Sequence, residues 1–245
     1  MKLAAKYYGN TLRNSFLTAF GVILGLMLSS GLFLRSSYND DADYSISGFE
    51  LTFMIFTLVT GLVAFRETFR FFQQNGISRK SQFIGWSISL AALSLMEAVV
   101  SLVMELILRQ FFHYRGIYSQ MYQPLRYPEP TFLFLVQELL WIFAACLVLG
   151  WAGFAITLLY YRLSKTGKIL VSILTPGTLF ILLPMADKSL LRGGYSWLLQ
   201  KFSMLISGYL PNGIYPMVPV VTALVCSVLL AGVSWLMMRR AEVRA

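Results

Sequence analysis

Three carboxylates sit in or beside otherwise uncharged stretches: Glu97, Glu105 and Glu138. A charge in hydrocarbon is costly, and such residues usually face a bundle interior or water. Glu105 and Arg109 stand four apart with the acid first, the favourable order for an ion pair near a helix end. Glu138 lies about two turns into its apolar run, shallow enough to reach headgroups. Glu97 is the deep one. Either it is buried against a polar partner such as Ser94 or Ser101, or it lines a substrate path. A proton relay would ordinarily bring more ionisable groups than these. The single histidine, His113, has no metal-binding companions and reads as a polar residue at an interface. Cys146 and Cys226 fall inside apolar runs and read as small packing residues, with no disulfide implied. There is no serine–histidine–aspartate set, no His-Glu-x-x-His pair and no phosphate-binding P-loop. The chain is therefore expected not to be an enzyme and to hold no cofactor or metal. If nucleotide energises it, another polypeptide supplies the nucleotide site.

The elements that carry these residues are apolar. Hydrophobic residues make up 57% of the 245 and charged ones 13%, against about 25% charged in soluble domains. About 20 uncharged residues suffice to cross a hydrocarbon layer. Six such runs are predicted as helical spans, at 15–34, 49–65, 83–108, 132–160, 169–186 and 215–238, giving a single all-α transmembrane domain. Residues 1–14 are too basic to continue the first run and suit a short helix lying in the headgroup plane. Pro176 and Pro184 each remove a backbone donor from the fifth run, which should be kinked or broken and which could border a substrate path. Residues 188–211 suggest one or two short helices dipping into the outer leaflet, either as a gate or as a packed cap. In the first run Gly21, Gly25 and Ser29 form a ladder of small residues, for packing within the chain or against a second copy.

Lysine and arginine placement orients the chain. With both termini in the cytoplasm, the inner segments hold thirteen of the 20 basic residues, and the acidic Asp40, Asp41 and Asp43 fall outside. The net charge of +9 is then a topology signal directed at lipid headgroups, with no nucleic-acid partner implied. Between the second and third runs lies a basic, aromatic segment, 65–80. Phe65, Phe69 and Phe72 form one stripe at helical spacing, and Arg66, Arg70 and Gln73 another. Asn75-Gly76 is a helix stop, and Ser78 can cap the helix that follows. The pattern is a stiff knuckle between two spans.

The layout and the string Phe69 to Lys80, with its Asn-Gly-Ile-Ser-Arg-Lys turn, resemble the permease subunits of type-two ABC exporters in their compact six-span bacterial form. That resemblance implies a plasma-membrane subunit driven by a separate ATPase, which would hold ATP and Mg, and facing a second permease subunit. Arg66, Phe69, Arg70, Phe72, Gly76, Ser78, Arg79 and Lys80 would form the coupling segment that docks on the ATPase, with the basic residues pairing either to its acids or to lipid. The cargo expected from such exporters is an amphiphile such as a drug or antimicrobial peptide. The alternatives are a secondary transporter, or a non-transporting immunity or sensor subunit.

Overall fold

A computed structural model describes residues 2–37, 48–111, 114–126, 131–189 and 193–241; Asp40, Asp41, Asp43 and His113 lie outside these. The first helix, α1 (Lys2–Ser37), is followed by α2 (Phe49–Val63), α3 (Arg66–Gln74), α4 (Arg79–Phe111), α5 (Ile117–Arg126) and α6 (Phe132–Arg162). Then come α7 (Lys165–Gly177), a π-helical turn (Thr178–Leu182), α8 (Leu183–Ser189) and α9 (Gly194–Ser207). A two-stranded hairpin, β1 (Tyr209–Leu210) and β2 (Gly213–Ile214), leads into α10 (Met217–Arg239). Among the described residues, four helical stretches are long and apolar enough to cross a membrane: Arg79–Gln110, Phe132–Arg162, Lys165–Asp187 and Met217–Arg239. This mostly helical, apolar build is that of a multi-pass membrane protein.

The core forms around α6, which packs against α2, α4 and α10, while α1 lies along α4. The tightest seam is between α2 and α6. A Cβ on Gly61 would strike the carbonyl oxygen of Gly150, and one on Gly153 would strike that of Leu58. Thr157 Oγ1 donates to the Leu62 carbonyl across the same seam at 2.6 Å. Close backbone approach through small residues gains dispersion that larger side chains would prevent. The Gly21–Gly25 ladder of α1 is different, since a Cβ at either position meets nothing within 4 Å. Among the described residues, nothing is in contact with those two positions.

One expectation needs revision. No break separates residues 1–14 from the first apolar run, because Ala4, Tyr8, Leu12 and Phe16, at strict four-residue spacing, are all buried on the core and keep α1 continuous. Helix α5 has 10 residues, and its Tyr118 and Tyr122 pack with Phe134. The fifth run bends its hydrogen bonding without breaking. The π turn absorbs the donor lost at Pro184, and the residues of α7 and of that turn are left with no buried side chain.

Candidate functional site: the knuckle and the buried carboxylates

Helix α3 is held by aromatic rings. Phe65, Phe69 and Phe72 are each 0% exposed. Phe65 stacks on Phe69 with centroids 4.8 Å apart and meets Tyr161 at 5.2 Å. Phe72 stands edge-on to Tyr7 and Tyr8 of α1 at 5.3 and 5.5 Å. Tyr8 in turn packs on Trp86 of α4, which stacks on Phe154 of α6 at 5.2 Å. A chain of rings thus runs from the knuckle into the core. Gln82 Nε2 donates to the Tyr8 hydroxyl at 3.3 Å, and burial pushes that hydroxyl up to about 12.

The turn after α3 is closed at both sides. Gly76 adopts φ +69°. Its N–H reaches the Gln73 carbonyl at 3.2 Å and the Ile77 N–H reaches Phe72 at 2.9 Å, the paired bonds of a Schellman stop. Ser78 then caps α4 by accepting the Ser81 N–H at 3.2 Å. Arg70, Phe71 and Lys80 are exposed around this turn. Arg79 Nη1 donates to the carbonyl of Arg239 at 2.7 Å and so closes the last turn of α10. Arg66 begins α3, and its side chain lies outside the described set. Beside the knuckle, a cavity of about 300 Å³ opens between α1 and α2, lined by Tyr7, Tyr8, Thr11, Phe56, Thr60 and Trp86 among others.

Glu97 is enclosed at 0% exposure. Its partner is neither Ser94 nor Ser101 but Thr57 of α2, whose hydroxyl donates to Oε2 at 2.5 Å, with the Cys146 thiol of α6 beside it. The carboxyl is a pin between three helices, shut away from solvent. Pro176 and Pro184 are exposed.

No family model, curated protein or solved structure matches this chain. Its chemistry is therefore read from its own residues.

The other acids converge at the opposite end of the bundle from the knuckle. Glu105 and Arg109 form the expected ion pair. Glu138, expected to reach the headgroups, is 0% exposed and turned inward. It meets Glu105 and a residue that pattern reasoning passed over, Glu50 in the first turn of α2. Sequence held one hint of Glu50: an acid just inside an apolar run. The tyrosine-rich segment ending in α5 covers the trio. Tyr114 donates to Glu50 Oε2 at 3.1 Å, and Ser119 to Glu105 Oε1 at 2.9 Å. The same segment is tied to the α9–β1 connection, since Tyr122 donates to the Ser207 carbonyl and Tyr209 to that of Met121, each at 2.6 Å. Of the segment 188–211, the C-terminal end is therefore bound into a cap, while the apolar Trp197, Leu198, Leu199 and Phe202 of α9 stay exposed.

Proposed function

We propose that the chain is the permease subunit of an ABC transporter, with six spans, both termini cytoplasmic, and force entering from a separate ATPase through α3. The observation that carries this reading is the knuckle. A nine-residue helix is stopped, capped and ring-packed so that it cannot move without moving α1, α4 and α6. Its outward side meanwhile presents Arg70, Phe71 and Lys80. A lever must be stiff where it joins the load and adhesive where it meets the motor, and α3 has both properties. Helix α7 and its π turn, which bury no side chain within this chain, fit contact with lipid and with a second permease subunit. Six spans require that residues 15–34 of α1 cross, and that α2 cross despite its 15 residues. The bend of 41° between α2 and α3 then marks the membrane boundary. An amphiphilic cargo suits the cavity beside the knuckle, whose apolar walls carry Tyr and Thr hydroxyls.

The test is reconstitution. Co-expressed with a candidate ABC ATPase subunit, the full chain should purify as a complex whose ATP turnover changes on insertion into vesicles. A fully active chain with no ATPase attached, or a knuckle labelled from the extracellular side, would overturn the assignment.

A further inference from the structure

We propose that Glu50, Glu105 and Glu138 bind one hard divalent cation, of the Mg²⁺, Ca²⁺ and Mn²⁺ class, that clamps α2, α4 and α6 together at the end remote from the knuckle.

The donors divide in a telling way. The N–H and hydroxyl donors around Glu105 all land on Oε1: Arg109 through both Nε and Nη2, Ser119 Oγ, and the Gly116 N–H. Its Oε2 is buried with no partner. Glu50 behaves alike, with Oε2 taking the Tyr114 hydroxyl and Oε1 left over. Glu138, wholly buried on α6, meets the Glu105 carboxyl and takes no bond from any N–H or hydroxyl around it. One oxygen oriented by neighbours and the other free is how ligating carboxylates are held by an outer shell of hydrogen bonds. Three buried carboxylates brought this close, with oxygens that no donor outside the trio satisfies, carry a severe electrostatic cost that a cation would remove.

Geometry and charge agree. One ligand atom from each acid lies within 4.8 Å of the others, and oxygens on opposite sides of a cation stand about 4.2 Å apart for Mg²⁺ and about 5 Å for Ca²⁺. Three carboxylates and the Arg109 guanidinium leave two negative charges, the complement of one divalent ion. An all-oxygen set selects hard cations over zinc or copper. Gly116 completes the site, because a Cβ there would collide with Glu105 Oε2 and come within 2.6 Å of Glu50 Oε1, the two free oxygens.

The inference stands apart from the transport reading, since it needs no ATPase and no cargo. The full chain in detergent, stripped with EDTA, is titrated with MnCl₂ alone and followed by the loss of the free Mn²⁺ paramagnetic signal. CaCl₂ and MgCl₂ are then added singly as competitors, and thermal unfolding is read in each. We expect one Mn²⁺ per chain, displaced by Ca²⁺ or Mg²⁺, and a higher unfolding temperature with the ion bound. Glu138→Gln should weaken binding at least tenfold and Gly116→Ala should act in the same direction, while Asp187→Asn, outside the site, should bind as the native chain does. A folded native chain that takes up no Mn²⁺ overturns the proposal, and so does binding unchanged in both site variants. Should Glu138→Gln fail to fold, the native stoichiometry and Gly116→Ala decide.

Discussion

Thr57 is a small residue with a large task. Its hydroxyl donates to a carboxyl that is shut away from solvent. Thr57→Val keeps the shape and removes the donor, so it should cost about 1–3 kcal/mol, whereas Thr57→Ser should cost less; chemical unfolding in detergent separates the two. Tyr8 gives a pH dependence. Its hydroxyl, held up to about 12 from an ordinary 10.0, binds its proton more tightly folded than unfolded. The resulting stability is full below pH 10 and fades as pH climbs from 10 toward 12. A two-unit difference corresponds to about 3 kcal/mol. Tyr8→Phe should abolish that alkaline loss while costing about 1 kcal/mol at neutral pH for the Gln82 bond, as followed by unfolding between pH 8 and 12. At this scale sequence revealed which acids were anomalous but not their partners. Thr57 and Glu97 are forty residues apart, and no local pattern joins them.

At the scale of elements, the knuckle was the most legible part, because stops and caps are local chemistry. Phe65, Phe69, Gly76 and Ser78 all do what their spacing implied. The α2–α6 seam was not legible. Gly61, Gly150 and Gly153 look like any glycines in apolar runs, and only their meeting shows their use. The ladder Gly21-x-x-x-Gly25, which stood out more in the sequence, has no contact at either glycine among the described residues. Gly61→Leu should prevent α2 from seating, at about 3 kcal/mol or more, and should lower the yield of folded protein in size-exclusion chromatography. Gly76→Ala forces a side chain into φ +69° and should cost about 1–2 kcal/mol, with faster hydrogen exchange confined to α3 and the first turn of α4.

At the scale of the whole molecule, the two ends of the bundle are built differently. One end is aromatic and basic with an exposed turn; the other is acidic, buried and capped by tyrosines. Composition predicted a helical membrane chain, and periodicity predicted where its helices lie, since both depend on residues close in sequence. Which helix is central depends on the folded arrangement. If α3 receives the motor, Arg70→Glu with Lys80→Glu should reduce ATPase co-purification at least tenfold while leaving membrane insertion unchanged, as measured by pull-down and by membrane fractionation. Arg79 is left intact in that variant because it closes α10.

The π turn at Thr178–Leu182 works as a phase shifter. One added residue advances everything beyond it by about 100° around the helix axis. Asp187, five residues further on, thereby comes round to accept the Tyr195 and Ser196 amides at 2.8 and 3.0 Å, fastening the start of α9. Deleting a single residue from the turn would restore an ordinary helix and swing that aspartate off its amides, leaving the apolar arm without its anchor.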